Sequence, residues 1–190
     1  VNRDGRLIGY NTDGIGYVRS LKEEAEPDLS GKKIVVLGAG GASRGILWAL
    51  GRERPASIVL ANRTRDKADQ LAGSLQAQSP VPIEAIGWDR LPEACREADI
   101  VINTTSVGMS PNTDASPVDS AWLKPGAVAS DLIYNPLTTK FLREAGQRGC
   151  RMHGGLGMFV YQGAYAFEYW TGKAAPVQAM RDAVLASLER

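Results

Sequence analysis

A glycine-rich segment at residues 38–45 has the composition of a phosphate-binding turn. It reads Gly-Ala-Gly-Gly-Ala-Ser-Arg-Gly and follows a short apolar, β-branched run. Gly38 allows a tight turn, and the next two glycines let the backbone approach a pyrophosphate, which the unpaired N–H groups of a following helix can bind. Ser43 stands where the usual spacing has a third glycine, and the small residue comes at Gly45. The segment predicts dinucleotide binding, with a purely structural glycine turn as the alternative. The residues predicted to bind the cofactor here are Gly38, Ala39, Gly40, Gly41 and Ala42.

The residues after the second apolar run indicate which dinucleotide binds. An NAD-binding protein places an acid there to accept a hydrogen bond from the ribose 2′-hydroxyl. Residues 61–67 instead read Ala-Asn-Arg-Thr-Arg-Asp-Lys, with no acid at the strand tip. Guanidinium, hydroxyl and ammonium donors can surround a 2′-phosphate, so we predict NADP as the cofactor. The alternative is a solvated helix start capped by Thr64, and we expect Arg65 to face solvent. The cofactor-binding residues predicted here are Asn62, Arg63, Thr64 and Lys67.

A carboxylate near the start of the chain, Asp13, lies among turn-forming residues in Gly-Tyr-Asn-Thr-Asp-Gly (9–14). An apolar helical pattern follows it, so Asp13 or Thr12 could cap that helix. Asp13 could also be one half of a catalytic pair whose other half lies elsewhere. The pattern leaves both roles open, and we expect capping in the folded chain.

The elements that must position these residues alternate along the chain. Strands uninterrupted by polar residues are typical of parallel sheets buried on both faces, with helices as crossovers. We predict an α/β fold with a doubly wound, parallel, six-stranded Rossmann-like sheet and C-terminal helices, with the ligand beyond the strands' carboxyl ends. The predicted strands are residues 33–37, 57–61, 82–86, 99–103, 127–132 and 150–153. An extended piece is expected at 6–10, a long polar loop at 104–119, and helices at 13–26, about 41–50, 64–76, 91–98, 138–147, 159–171 and 176–189.

The composition is that of an ordinary globular protein. The chain has 190 residues, 44% of them hydrophobic and 23% charged, with a formal net charge of +1. We therefore expect neither nucleic acid nor a membrane as partner. The two cysteines, Cys95 and Cys150, lack any metal-ligand spacing, so we expect no disulfide, no metal site and a cytoplasmic location. His153, the single histidine, is expected to be structural. The tryptophans are expected to pack in the core or between helices; they are Trp48, Trp88, Trp122 and Trp170.

Six motifs, in chain order, resemble those of the shikimate dehydrogenase family. They are Gly-Tyr-Asn-Thr-Asp-Gly (9–14), Gly-Ala-Gly-Gly-Ala (38–42), Asn-Arg-Thr (62–64), Ile-Asn-Thr-Thr-Ser-Val-Gly-Met (102–109), Asp-Leu-Ile-Tyr-Asn-Pro (131–136) and Gly-Gly-Leu-Gly-Met-Phe-Val-Tyr-Gln-Gly-Ala (154–164). The resemblance implies an NADPH-dependent reduction of 3-dehydroshikimate to shikimate on the pathway to chorismate and the aromatic amino acids. It also implies a substrate domain before this chain, with a serine-rich carboxylate site and a catalytic lysine that the chain does not match.

The resemblance divides the chain and assigns roles to single residues. Residues 1–30 correspond to a hinge strand and helix, 31–155 to the NADP-binding domain and 156–190 to helices that pack on the substrate domain. Asp13 is expected to pair with the lysine and to contact the substrate. The other implied positions are Gln162 and Tyr134 at the substrate, Thr104 and Ser106 at the cofactor's ribose or phosphate, and Gly155 and Met158 beside the nicotinamide.

Several alternatives stay open at this point. Gln162 could be a surface amide and Tyr134 a packing aromatic, and the glycines at 154–157 could form a flexible loop. The chain could be a stand-alone NADP-binding or regulatory module, or its substrate could be quinate or an amino-shikimate. The last two helices could form a homodimer interface or dock the substrate domain. Under the leading hypothesis the chain is the cofactor half of the enzyme and is inactive alone.

Overall fold

A parallel six-stranded sheet lies at the centre of the computed structural model, which describes residues 1–188. In chain order the strands are β1 (Asn2–Arg3), β2 (Arg6–Leu7), β3 (Lys33–Leu37), β4 (Ser57–Ala61), β5 (Ile83–Ile86), β6 (Ile100–Asn103), β7 (Val128–Asp131) and β8 (Arg151–His153). The first two form a separate antiparallel hairpin, and the other six pair in the order β5-β4-β3-β6-β7-β8, each parallel to its neighbour. This is the order of the dinucleotide-binding fold, and the predicted fold class is confirmed.

Residues 1–188 contain seven α-helices. They are α1 (Asp13–Glu24), α2 (Gly41–Arg52), α3 (Arg65–Gln76), α4 (Leu91–Glu97), α5 (Lys140–Gln147), α6 (Leu156–Thr171) and α7 (Val177–Leu188). Apolar residues of α1, α2 and α3 pack on one face of the sheet, and those of α4 and α5 pack on the other. In the described part of the chain, no helix is long and apolar enough to cross a membrane. Cys95 and Cys150 are buried free thiols.

Three local predictions differ from the structure. Of the extended piece predicted at 6–10, only Arg6–Leu7 forms a strand, the second strand of a hairpin in which Asp4 and Gly5 turn the chain with positive φ angles of 52° and 82°. Helix α6 begins at Leu156 rather than at 159, because Gly157 packs so closely against Ser20 that tertiary contact outweighs its low helix propensity. Trp170 is 74% exposed and packs in no core, unlike the prediction. The predicted helix end at 189 lies outside the described residues.

Helix α1 contacts two neighbouring helices at backbone distance. A Cβ added to Gly16 would lie 2.6 Å from the backbone nitrogen of Gln162 on α6. A Cβ added to Gly14 would collide with the carbonyl oxygen of Gly45 on α2. Only glycine permits this approach, because real Cβ atoms do not come so near to other heavy atoms. The start of α1 is therefore fixed relative to both the glycine-rich turn and α6.

A buried chain of polar groups joins α1 to β7 and β8, the last two strands of the sheet. The Tyr17 hydroxyl lies 2.8 Å from Ser130 Oγ, which lies 2.8 Å from Nδ1 of His153. Nε2 of His153 lies 2.8 Å from Ser20 Oγ. Burial lowers the pKa of His153 to about 4 and raises the pKa of Tyr17, so both side chains are neutral near pH 7. His153 is structural in this sense, as predicted, and it ties β8 to α1.

Candidate functional site

A cleft of about 680 Å³ opens at the carboxyl ends of β3, β4 and β6, and we refer to it as the cofactor cleft. Parallel strands present their following loops at this edge, which is where doubly wound sheets bind ligands. Its lining residues are Gly38, Ala39, Gly40, Asn62, Arg63, Thr64, Lys67, Trp88, Thr104, Thr105, Ser106, Val107, Ser116 and Pro117.

The glycine-rich turn has the geometry of an anion cradle. Gly38 has a φ of +102°, and a Cβ there would lie 2.8 Å from the Thr105 side chain, so no other residue fits without strain. No atom lies within 4 Å of a Cβ placed on Gly40 or Gly41. The space in front of these residues is open, and α2 begins at Gly41 with its free N–H groups. The turn therefore fits a pyrophosphate.

Ser43 holds the cradle in shape, a role that the sequence analysis missed. Its hydroxyl donates to the carbonyl of Gly38 at 2.7 Å and accepts from the N–H of Gly40 at 3.2 Å. The Thr104 hydroxyl lies 2.7 Å from Ser43 Oγ and donates to the carbonyl of Leu37 at 2.7 Å. The serine in place of a third glycine could have indicated this role, since a hydroxyl at this position of a helix can form hydrogen bonds with the backbone groups of the preceding turn.

The tip of β4 carries cationic side chains that are unpaired within the described residues. Arg63 and Lys67 form no ion pair with any residue of that part of the chain, and both are exposed. Asn62 holds the tip against the cradle, since its Oδ1 accepts from the N–H of Ala39 at 3.2 Å. Thr64 occupies the N-cap position of α3, yet its hydroxyl makes no capping hydrogen bond. Donors of three kinds are thus available to a phosphate at this end.

A second cleft, of about 620 Å³, adjoins the first, and we refer to it as the Asp13 cleft. Both clefts are lined by Thr104, Thr105 and Ser106, so they adjoin at this segment. The cradle borders the cofactor cleft through Gly38 and Gly40 and the Asp13 cleft through Ala42, so a ligand with its phosphates on the cradle lies next to both clefts. The other lining residues are Asp13, Ala42, Met109, Ser110, Leu132, Ile133, Tyr134, Asn135, Gly155, Met158, Phe159 and Gln162.

Asp13 is the first residue of α1, and its carboxylate makes no hydrogen bond or ion pair with another residue in positions 1–188. The prediction that Asp13 or Thr12 caps the helix with its side chain is wrong. Thr12 occupies the N-cap position but makes no side-chain capping bond, and Asn11 Oδ1 accepts from the N–H of Asp13 at 3.1 Å instead. Because the Asn11 side chain accepts this hydrogen bond, the carboxylate of Asp13 stays available to a partner in the cleft.

An aromatic pair forms part of the wall of the Asp13 cleft. The rings of Tyr134 and Phe159 stack with centroids 4.3 Å apart and planes 26° apart. Gln162 Nε2 donates to the carbonyl of Phe159 at 3.0 Å, which fixes the amide beside the stack. Gly155 lies against the backbone of Leu132, since a Cβ there would collide with the Leu132 carbonyl oxygen. The stack holds Tyr134 in one orientation, a contact that the sequence did not predict.

A buried carboxylate, Asp131, ties together the loops that follow β6 and β7. It accepts from Asn103 Nδ2 at 3.1 Å, from the Thr139 hydroxyl at 2.7 Å and from the N–H of Ile133 at 3.0 Å. Burial raises its pKa, and these three donors oppose that increase. Asn103 also donates to the carbonyl of Val107 at 3.2 Å. The loops after β6 and β7 are therefore held as one unit. In the sequence, the only sign of this contact was that two adjacent strands end in an Asn and an Asp.

The structure brings the predicted site residues together, with one exception. All of them line the cofactor cleft or the Asp13 cleft except Gly41, which lines a separate cavity beside Arg44 and Trp48. Gly41 nevertheless supplies the first residue of α2 below the cradle. The sheet, the cradle and the adjoining clefts are those of a dinucleotide-binding protein of the Rossmann class.

Comparisons with known proteins identify the family. Residues 20–114 match the family model described as Shikimate / quinate 5-dehydrogenase, and residues 155–185 match the one described as Shikimate 5'-dehydrogenase C-terminal domain. Shikimate dehydrogenase (NADP(+)) of Geobacillus kaustophilus is 47% identical over 193 residues, covering 100% of this chain and 68% of that protein. The chain belongs to the shikimate dehydrogenase family.

Two further relatives show how much of such a protein the chain represents. Shikimate dehydrogenase (NADP(+)) of Moorella thermoacetica is 50% identical over 182 residues, 95% of this chain and 61% of that protein. The crystal structure of shikimate 5-dehydrogenase from Thermus thermophilus in complex with NADP(H) and shikimate has a TM-score of 0.83 at 34% identity, covering 99% of this chain and 67% of that one. The chain spans about two thirds of the length of the curated relatives that it matches.

Proposed function

We propose that the chain is the NADP-binding part of an NADP-dependent shikimate dehydrogenase, which reduces 3-dehydroshikimate to shikimate in aromatic amino acid biosynthesis. The observation that carries the proposal is that the two clefts adjoin along residues 104–106. One end offers Arg63, Thr64 and Lys67 with no acid at the strand tip, and the other offers Asp13 and Gln162. The names and bound ligands of the relatives support the same function.

Bound NADPH supplies the hydride, and the residues of this chain orient the reaction. The cradle binds the pyrophosphate, and Gly155 and Met158, which line the Asp13 cleft, lie beside the nicotinamide. Hydride transfer builds negative charge on the ketone oxygen, so a proton donor must be aligned with that oxygen. The Asp13 carboxylate can hold a cationic donor in that alignment, and the family resemblance places the lysine that does so in the substrate domain.

The 190-residue polypeptide alone is expected to bind NADPH but to show no measurable shikimate oxidation. Among its described lining residues, the Asp13 cleft has no lysine, arginine or histidine. It therefore supplies no cationic partner for the shikimate carboxylate and no ammonium group that could donate a proton to the ketone. A spectrophotometric assay at 340 nm, with binding measured in parallel, tests this. Turnover by the polypeptide that Asp13→Ala abolishes would contradict it.

Replacing Arg63 by Ala is expected to weaken NADP(H) binding by about 1.5–3 kcal/mol, the range for a hydrogen bond to a charged group. NAD binding should change little, because NAD has no 2′-phosphate for Arg63 to contact. Calorimetry with both cofactors measures the difference. Arg65→Ala is the matched control, since Arg65 pairs with Asp69 at 3.4 Å and does not line the cofactor cleft. Equal losses for NADP and NAD in Arg63→Ala would rule out the assignment.

A cytoplasmic location remains a prediction, and so does the use of the exposed faces of α6 and α7, either as a homodimer interface or as the surface that docks the substrate domain. The first is supported by the two buried free cysteines, which suit a reducing compartment. Size-exclusion chromatography with light scattering tests the second.

A further inference from the structure

Trp88 is the only aromatic residue among the described residues that line the cofactor cleft. It begins a short 3₁₀ turn, Trp88–Arg90, directly after β5, the strand next to β4 in the sheet. The ring is partly buried and packs against the core on the α4 and α5 side of the sheet. The sequence predicted that this ring packs against the core, and it does. Packing does not explain why Trp88 also lines the cleft.

The indole N–H of Trp88 makes no hydrogen bond with any residue of the described chain. No buried side-chain nitrogen or oxygen in that part of the chain lacks a partner, so this N–H reaches solvent. Tryptophan at binding surfaces commonly presents an apolar face together with a polar N–H in this way. Trp88 thus gives the cleft wall an aromatic side chain whose indole N–H has no partner among residues 1–188.

The covalent structure of NADP decides which part of the cofactor meets this wall. The 2′-phosphate and the adenine are attached to neighbouring carbons of one ribose, so the phosphate that contacts Arg63 and Lys67 brings the adenine to the same end. The nicotinamide lies across the pyrophosphate, toward the Asp13 cleft. We propose that Trp88 binds the adenine ring, by stacking and through its indole N–H; this assignment rests on the proposed NADP binding.

The test uses adenosine 2′,5′-bisphosphate, which carries the adenine and the 2′-phosphate but no nicotinamide. Trp88→Leu keeps apolar bulk in the core and removes the aromatic face. Because stacking on an aromatic side chain is worth about 1–3 kcal/mol per base, Trp88→Leu should weaken binding of the bisphosphate about 5- to 150-fold. Trp88→Phe should weaken it only about 2- to 12-fold, since it retains a ring for stacking and loses only the hydrogen bond from the indole N–H. Trp88→Leu should also weaken NAD and NADP by equal factors, unlike Arg63→Ala.

Trp122 provides the matched control. It packs partly buried against the same core but does not line the cofactor cleft. Trp122→Leu should therefore leave the affinity for the bisphosphate unchanged. Tryptophan fluorescence gives a second readout that a purely structural role would not affect: the bisphosphate should quench the wild type and Trp122→Phe, and the quenching should be lost in Trp88→Phe.

The two possible failures can be told apart. If the wild-type chain binds neither NADPH nor the bisphosphate, the proposed cofactor site is wrong. If the wild type binds both, while Trp88→Leu folds and binds the bisphosphate equally well, Trp88 has no role in adenine binding. Quenching that persists in Trp88→Phe would overturn the assignment even if Trp88→Leu failed to fold.

Discussion

Replacing Gly40 by Val is expected to abolish cofactor binding while the fold survives. No atom lies within 4 Å of a Cβ at position 40, so a larger side chain meets nothing in the protein. The backbone there has a φ of −95° and a ψ of −170°, which valine adopts without strain. The same open space is where the pyrophosphate must lie, so the branched side chain excludes it. We expect NADPH affinity to fall at least about 100-fold, or about 2.8 kcal/mol.

Calorimetry with NADPH and thermal unfolding of the same samples measure the two effects separately. Gly40→Ala is the graded control, because a single methyl group intrudes less than an isopropyl group and should cause a smaller loss of affinity. A Gly40→Val protein with an unchanged melting temperature and wild-type affinity would place the pyrophosphate elsewhere.

Acidification from pH 6.5 to 4 is expected to cost the fold about 3 kcal/mol through His153 alone. Burial lowers the pKa of His153 from 6.5 to about 4. As the pH falls below 6.5, the unfolded chain takes up a proton on this residue that the folded chain does not. Stability is therefore fully present above pH 6.5 and decreases toward pH 4. The nearest carboxylate, Glu24, lies 3.9 Å from His153 Nε2 and is paired with Arg181 at 2.6 Å.

Urea unfolding between pH 5 and 8 isolates this effect, because most carboxylates titrate below that range and the chain has a single histidine. His153→Gln should lower stability at pH 7 yet remove the decrease between pH 6.5 and 5. Identical pH slopes in the two proteins would show that His153 takes up its proton equally in the folded and unfolded states.

The sheet could be predicted from the sequence because each central strand is a short apolar run. Such a run can be recognised as a buried strand without knowing which distant residues it contacts. The cradle could be predicted for a similar reason, since its glycines and the helix after them are adjacent in the chain. The contacts that shape the site could not. Ser43 meets Thr104, and Asn103 meets Asp131, only after the strands have paired. The side-chain cap from Asn11 was missed because Thr12 and Asp13 cap helices equally well by composition.

The close approach of α1 to α6 has a consequence for how the protein can move. Gly16 places the two helix backbones in direct contact, so the helices cannot slide or rotate against each other without a collision. Asp13 at the start of α1 and Gln162 on α6 therefore travel together as one rigid body. Any hinge that opens or closes the cleft must lie outside this pair of helices. The start of α1 and the segment of α6 around Gln162 therefore keep one backbone separation wherever such a hinge lies, so this edge of the Asp13 cleft has a fixed spacing.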